Sequence, residues 1–308
     1  MTRLLCLLLC LLGTTAHAQT YRNCGQDWTL PHAPPQRILA LNQHAADLLL
    51  ALQVGPSLVA VSYIDDDPEA LASRRYRGVP LLSRLYPSPE VFYAQRYDLV
   101  VGGFASAFRD GVGARTHLTR NGIGSYLLEN ACDPRPASGF AAIEDDLRSL
   151  GKLLQRESQA ARLIAQQRAD LDRARQLAAQ HSPLSVFYLD SEHQGLDSEG
   201  SRGFITQLIQ VAGGRNLFAD VDLHRVTVDP ETLLQRDPDV IILADAVWSP
   251  ARRKREYLHN HPALSKLRAV REGRLIDLPF THLVAGEHSA RAAVALANQL
   301  RDMAEHLP

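Results

Sequence analysis

Short apolar runs alternate with amphipathic stretches along the first half of this chain. The apolar residues 38–41 predict a strand, and residues 44–52 place Leu48, Leu49 and Leu52 on one face, which predicts a helix. The same patterns predict further strands at 58–61, 99–101 and 125–128 and further helices at 89–96 and 115–121. Strands that alternate with helices are typical of parallel α/β layers.

The second half of the chain follows the same plan. The patterns predict strands at 185–189, 240–243 and 274–278 and helices at 203–211, 230–236, 264–270 and 289–305. One segment occurs twice, as SPEVFYAQRYDLVV and, 141 positions later, as DPETLLQRDPDVII. The two copies align Pro89, Glu90 and Asp98 with Pro230, Glu231 and Asp239. This repeat indicates two related lobes.

The stretch between the halves, residues 140–180, has no proline and one glycine. It is rich in Ala, Leu, Gln, Arg and Glu, which are strong helix formers, so we predict a rigid helix rather than a flexible linker. The predicted fold is therefore α/β, with two Rossmann-like lobes joined by a single long helix. The domains are then an N-terminal lobe at 19–138, a helical linker at 139–181 and a C-terminal lobe at 182–308. The cleft between such lobes is the default ligand site.

Residues 1–18 have the features of a signal peptide. Arg3 gives a basic start, residues 4–12 form a short apolar run, and residues 16–18 read Ala-His-Ala, a typical cleavage site. The apolar run is too short to span a bilayer. We expect a mature chain that begins at Gln19 and is exported as a soluble protein.

Loss of the first 18 residues leaves two cysteines, Cys24 and Cys132. In an exported protein an isolated pair predicts one disulfide, although two buried free thiols would be an alternative. The formal net charge of −1 gives no global field that would favour nucleic acid or an anionic membrane, so we expect neither as a partner.

Glu90 and Glu231 have two interpretations. Ser88 and Asp229 are good N-caps, a proline follows each, and an acid in the first turn complements the helix dipole, so both segments are favourable helix starts. Alternatively, two matched acids on two related lobes could dock onto a partner that carries two matched basic sites.

These features together resemble the periplasmic substrate-binding proteins of ABC importers, and most closely the branch for iron–siderophore complexes, haem and cobalamin. The segments that carry the resemblance are PPQRILALNQHAADLLLALQVG, PSPEVFYAQRYDLVV, the helix at 140–180, FITQLIQVAGGRNLFADV, VDPETLLQRDPDVIIL and LRAVREGRLIDLP. The resemblance implies the class III fold, a periplasmic location, a monomer without catalytic activity, and docking of Glu90 and Glu231 onto arginines of a dimeric ABC permease.

Ligand-binding residues are expected in the loops after the strands, because open α/β sheets bind ligands at the carboxyl ends of their strands. The candidates are Gln43, His44, Tyr63, Arg84, Phe104, Tyr188, Arg202 and Trp248. Aromatic rings supply flat apolar area, and arginine pairs with anionic chelate oxygens. The resemblance adds weight to Arg84, since some siderophore-binding relatives carry an arginine at this spacing. Arg84 as a surface charge and Tyr188 as a core residue are the alternatives.

The resemblance favours a ferric siderophore as the ligand, with no cofactor of the protein's own. Cobalamin is one alternative, and haem, ligated by His44, Tyr63 or Tyr188, is another. A bare metal ion is disfavoured because the 12 histidines are scattered and no His-rich acidic loop is present. An exported hydrolase is disfavoured because neither G-x-S-x-G nor H-E-x-x-H occurs.

Overall fold

The computed structural model describes residues 17–64, 74–134, 139–193 and 195–306. The signal peptide predicted at 1–18 lies outside the described residues except for its last two positions. Within the described ranges, no helix has both the length and the apolar character needed to cross a membrane.

The described chain opens with a β-hairpin that sequence patterning did not predict. Strands β1 (His17–Asn23) and β2 (Gln26–Ala33) pair antiparallel around Cys24 and Gly25, both of which have positive φ. Positive φ at both central residues is the hallmark of a tight two-residue hairpin turn. The tip is fixed by the predicted disulfide, which joins Cys24 to Cys132.

The N-terminal lobe contains a five-stranded parallel sheet in the order β5-β4-β3-β6-β7. Its strands are β3 (Ile38–Leu41), β4 (Leu58–Ser62), β5 (Leu81–Ser83), β6 (Leu99–Gly102) and β7 (Gly124–Leu127). Its helices are α1 (Gln43–Ala51), α2 (Pro89–Tyr93) and α3 (Arg115–Arg120), with a π-helical turn at Ala107–Gly111 and 3₁₀ turns at Gly55–Ser57 and Glu129–Ala131. The predicted strands and helices of this lobe are confirmed, and β5 and the π-helical turn are additions.

The segment between the lobes is two helices, so the prediction of one continuous helix over 140–180 is wrong. Helix α4 (Gly139–Leu153) and helix α5 (Glu157–Ala178) are separated at Gln155, which takes a left-handed conformation with φ 54°. No proline marks this break. At Gly151 a Cβ atom would lie 2.6 Å from the Cβ of Ala160, so the missing side chain lets the two helices cross closely.

Helix α5 is the long connector between the lobes. Near its start, Gln159 Nε2 donates to the carbonyl of Ala51 in the N-terminal lobe (2.8 Å), and at its end Ala178 packs on Gly213 of the C-terminal lobe. A single cluster of buried apolar side chains includes residues of both sheets, among them Ile38 of β3 and Ile242 in the sheet of the C-terminal lobe. The lobes therefore share a continuous core.

The C-terminal lobe contains a four-stranded parallel sheet in the order β10-β8-β12-β13 and an antiparallel ribbon of β9 and β11. Its strands are β8 (Leu184–Leu189), β9 (Leu196–Glu199), β10 (Gly214–Asn216), β11 (Arg225–Val228), β12 (Val240–Asp245) and β13 (Leu275–Pro279). Its helices are α6 (Phe204–Val211), α7 (Pro230–Arg236), α8 (Ala251–Asn260), α9 (Arg268–Arg271), α10 (Phe280–Leu283) and α11 (Ser289–Ala304).

Sequence patterning missed the ribbon, β10 and α8 in this lobe. It also merged two short elements, because the helix predicted at 264–270 is a 3₁₀ turn at Leu264–Lys266 followed by α9. Leu267 between them has extended ψ and interrupts the helix.

The duplicated segment occupies equivalent places in the two lobes. Asp98 Oδ2 accepts from the backbone N–H groups of Gln36 (2.8 Å) and Arg37 (3.0 Å), directly before β3. Asp239 Oδ2 accepts from the backbone N–H of Ser185 (2.9 Å), at the start of β8. Each aspartate therefore ties its helix-to-strand connection to the central strand of its sheet.

Candidate functional site

A cavity of about 640 Å³ lies between the two lobes. The N-terminal lobe contributes residues that follow β3, β6 and β7, and the C-terminal lobe contributes residues that follow β8, β12 and β13. Several parallel strands thus direct their carboxyl ends at one space, which is where open α/β sheets place ligands. The volume lies within the range of small-molecule sites.

Aromatic rings from both lobes face this cavity. Trp248, whose exposed fraction is 56%, packs edge-on against Phe280 with 4.9 Å between ring centroids. On the opposite lobe, Phe104 is 37% exposed and packs edge-on against His44 at 4.5 Å. Because both exposed rings lie on the wall of the cavity, they offer apolar contact points for a ligand.

Phe104 is held in place by the backbone around β3. Its N–H donates to Asn42 Oδ1 (3.2 Å), and Asn42 has φ 78°, an uncommon conformation for a non-glycine residue. Gly103 must lack a side chain, because a Cβ atom there would lie 2.3 Å from His44 Nε2. The loop after β6 is therefore shaped around the imidazole of His44.

His44 is buried at the junction of the cleft with a second, much smaller cavity. Burial lowers the pKa of His44, with opposing contributions from the Gly103 backbone and from Asp47, so the ring is neutral at pH 7. Within the described part of the chain, its Nδ1 atom has no hydrogen-bond partner. The unprotonated nitrogen of a neutral imidazole is a hydrogen-bond acceptor, but the Nδ1 atom of His44 is buried and not exposed to the cavity.

The wall formed by the C-terminal lobe is charged. Arg225 forms an ion pair with Asp190, and the Tyr188 hydroxyl donates to Asp190 Oδ1 (2.8 Å). Burial raises the pKa of Tyr188, helped by the charge of Asp190, so the phenol keeps its proton. The Arg225 side chain is still 57% exposed, and a guanidinium has five N–H donors, so it can bind anionic oxygens of a ligand while it holds Asp190.

The structure brings four of the eight predicted ligand-binding residues together. His44, Phe104, Tyr188 and Trp248 line the cavity, and Gln43 lies on the smaller cavity beside it. Contact of these residues with a ligand stays a prediction.

Three predicted residues do not line the cavity. Tyr63 packs edge-on against Tyr86 at 4.9 Å, and Arg84 is exposed on the surface. Arg202 is engaged elsewhere, since its Nε donates to Asp222 Oδ1 over 2.7 Å. The two arginines that motivated an anionic ligand are thus outside the site, and Arg225 and Lys254 are the basic side chains on its wall. The three aspartates at 65–67, which follow Tyr63 after β4, lie outside the described residues.

Sequence reasoning missed four titratable residues of the cavity: Glu199, His224, Arg225 and Lys254. Glu199 belongs to β9, Arg225 belongs to β11, and His224 directly precedes β11. Lys254 lies on α8. A signal existed in the alternation of Arg225-Val226-Thr227-Val228, which is typical of a strand with one exposed face. Because the partner strand lies some 30 residues away, no local pattern could place Arg225 at the cleft.

Glu90 and Glu231 are both exposed in the first turn of their helices, α2 and α7. Each helix is capped alike: Ser88 Oγ accepts from the N–H of Val91 (3.4 Å), and Asp229 Oδ1 accepts from the N–H of Thr232 (2.7 Å). A hydrogen bond with Ser88 lowers the pKa of Glu90. The two lobes therefore present matched carboxylates on equivalent helices.

Two α/β lobes, a connecting helix and an interlobe cavity at the strand ends define a two-lobed solute-binding protein. The chain belongs to the periplasmic binding protein family, whose model matches residues 38–281. This confirms the resemblance drawn from the sequence and implies an extracytoplasmic location. Members of this family bind substrates for ABC transporters, and the iron, haem and vitamin B12 proteins among the relatives mark the branch.

Two of the known proteins similar to this chain carry names of that branch. The vitamin B12-binding protein of Pectobacterium atrosepticum is 29% identical over 232 residues, 71% of this chain and 75% of that protein. An ABC-type Fe³⁺-hydroxamate transport protein of Saccharomonospora viridis has 25% identity and a TM-score of 0.75, covering 92% of this chain and 98% of that one. A periplasmic binding protein of Veillonella parvula, with 21% identity and a TM-score of 0.80, covers 94% and 99% and shares the fold.

Proposed function

We propose that this protein captures a ferric siderophore in the interlobe cavity and delivers it to an ABC permease. The observation that carries the proposal is the cavity itself, with an exposed aromatic ring on each lobe and Arg225 on its wall. Flat apolar contacts hold the organic frame of a chelate, and a guanidinium binds its hydroxamate or catecholate oxygens with charge-assisted hydrogen bonds. The similarity to the Fe³⁺-hydroxamate transport protein supports this choice. The function is capture and release, without a chemical step.

Cobalamin is the second candidate ligand. The observation that favours it is that the curated relatives of this chain are named vitamin B12-binding proteins. Cobalamin also presents a large flat chelate, so the aromatic rings suit it equally. Its rim carries mainly neutral amide groups, whereas a ferric catecholate carries net negative charge, so a contact with Arg225 would favour a catecholate siderophore over cobalamin.

The test is a titration of the purified mature chain, residues 19–308. The protein has two tryptophans, and Trp28 lies in the N-terminal hairpin, so Trp28→Phe leaves Trp248 as the reporter in the cavity. We expect saturable quenching by a ferric hydroxamate or catecholate siderophore. Iron-free siderophore, ferric citrate, haem and cyanocobalamin are run in parallel. Quenching by cyanocobalamin alone would establish the second candidate, and quenching by none of the chelates would refute both.

Trp248→Ala is expected to weaken binding of the chelate by about 30-fold, since a central aromatic contact is typically a hot spot of about 2 kcal/mol. Calorimetry measures the affinity without relying on tryptophan fluorescence. Because Trp248 is half exposed, we expect its removal to leave the melting temperature nearly unchanged. Trp28→Phe, outside the cavity, is the matched control, and an affinity that is the same in both variants would contradict a contact role for Trp248.

Delivery to a permease is the other part of the proposal. The exposed carboxylates of Glu90 and Glu231, at equivalent positions of two lobes, support docking onto two matched basic sites of a dimeric permease. Paired charges of this kind set orientation and register more than they add affinity.

A further inference from the structure

Lys254 on α8 is a buried lysine in the wall of the cavity. The chain has three lysines among its 33 basic residues, and the other two, Lys152 and Lys266, are exposed. Lys254 has a relative exposure of 0%. A buried ammonium is costly unless its donors are all satisfied, so its presence here calls for a specific role.

The three donors of this ammonium have three acceptors nearby. Lys254 Nζ donates to the carbonyl oxygens of Ala244 (2.7 Å) and Ser249 (2.6 Å) and to Ser249 Oγ (2.8 Å). Three acceptors around one point match the compact ammonium of lysine, which donates three hydrogen bonds from a single nitrogen. The planar guanidinium of arginine does not match this arrangement of acceptors. This accounts for a lysine at this position in a chain that otherwise uses arginine.

One acceptor residue, Ala244, precedes a short turn of residues 246–249, and the other, Ser249, is its last residue. We call this segment the Trp248 turn. Ala246 and Ser249 close the turn through two backbone hydrogen bonds, from Ser249 N to Ala246 O (2.9 Å) and from Ala246 N to Ser249 O (3.3 Å). The tip residues Val247 and Trp248 are 54% and 56% exposed. Apart from the contact of Trp248 with Phe280, these exposed side chains gain little from packing, so the hydrogen bonds at the base of the turn contribute much of what holds it.

Helix α8 supports a second cavity loop in the same way. Arg253, next to Lys254, has Nε 2.6 Å from Glu192 Oε1 and Nη2 3.2 Å from His193 Nε2, and His193 lines the cavity. Side chains of α8 thus contact both the loop after β8 and the turn after β12.

We propose that Lys254 is a positioning residue that fixes the Trp248 turn and so sets the orientation of Trp248 at the cavity. Its effect on the conformation of the turn is independent of the ligand, whereas its effect on affinity rests on the proposed function. Lys254 itself has all three donors engaged by the protein, so it acts through Trp248 rather than as a ligand contact.

The test uses Trp248 as the sole tryptophan, in the Trp28→Phe background without ligand. Time-resolved fluorescence anisotropy separates fast local motion of the indole from overall tumbling. We expect the amplitude of the fast component to rise about twofold in Lys254→Met and by less in Lys254→Gln, which keeps a neutral donor. Lys266→Met, an exposed lysine away from the cavity, is the matched control and should match the parent.

An unchanged fast component in both folded Lys254 variants would overturn the proposal. If Lys254→Met does not fold, Ser249→Ala decides, because it removes one acceptor without touching the ammonium: a raised fast component supports the proposal, and an unchanged one refutes it. With the chelate that the parent binds, Lys254→Met is expected to raise Kd about tenfold. A parent that binds no chelate refutes the proposed function, while the anisotropy still decides the role of Lys254.

Discussion

Replacement of both Glu90 and Glu231 by arginine is expected to abolish stimulation of the cognate ABC permease while ligand affinity stays unchanged. The proposed docking places each carboxylate against basic groups of the permease. Reversal of both charges therefore puts like charges together, which costs several kcal/mol at an interface and reduces stimulation by about 100-fold or more. The measurement is ligand-dependent ATP hydrolysis by the permease in liposomes, with ligand affinity measured by calorimetry on the same variants.

The chain offers a matched control for this experiment. Glu157 is also an exposed glutamate in the first turn of a helix, α5, but it lies outside the duplicated segment. Glu157→Arg carries the same cost to the helix dipole and the same change in net charge as either single variant, Glu90→Arg or Glu231→Arg. Stimulation should survive in Glu157→Arg and fall in each single variant by about tenfold. Full stimulation in the double variant would refute the docking role and leave Glu90 and Glu231 as helix-start residues only.

Loss of the Cys24–Cys132 disulfide is expected to lower the free energy of unfolding by about 4–5 kcal/mol. The two cysteines are separated by 108 residues, so the cross-link removes much of the freedom of the unfolded chain. Urea unfolding of Cys24→Ser/Cys132→Ser, compared with the oxidised parent, measures the difference. The parent treated with a reductant is the control and should agree with the double variant.

The folded lobe should nevertheless keep its hairpin without the disulfide. Asn23 holds the tip to β7 through both backbone groups of Leu127, at 2.9 Å and 2.8 Å, and Tyr21 hydrogen-bonds Ser125. The disulfide is thus expected to act mainly on the unfolded state. A loss below about 1 kcal/mol would contradict this view and would indicate that the unfolded chain already holds the two segments close together.

Local features of the sequence were sufficient for most strands of the two sheets, except β5 and β10, and for the relation between the lobes. The duplicated segment is the clearest case. A capping residue, a proline and a first-turn acid act on residues that lie within one helical turn, so their pattern is visible in the sequence, and the repeated spacing also includes the later aspartate. The structure confirms that Asp98 and Asp239 tie equivalent connections to the central strands. The disulfide could be predicted without knowledge of the geometry. Removal of the predicted signal peptide leaves two cysteines, and two cysteines of an exported protein are expected to pair.

Features that depend on distant segments were missed or wrong. No proline marks the break at Gln155 in the sequence. The break accompanies the close crossing of α4 and α5 at Gly151. The ribbon of β9 and β11 consists of four-residue strands that gain stability from each other and from the sheet beside them. Arg84 and Arg202 had suitable chemistry and spacing, but Arg202 is engaged by Asp222 instead of facing the cavity.

The amino-acid sequence alone thus established two α/β lobes, a helical segment between them and the residues that start α2 and α7, because these depend on interactions between near neighbours. Which side chains face the cleft was settled by the packing of segments far apart in the chain. Arg225 reaches the cavity because β11 pairs with β9, and Trp248 is held there because Lys254, on the following helix, is buried against the end of β12. A local window of sequence does not contain the pairing of Arg225 with Glu199. The Lys254 contacts join residues within ten positions of each other, but they form only when α8 packs against the end of β12.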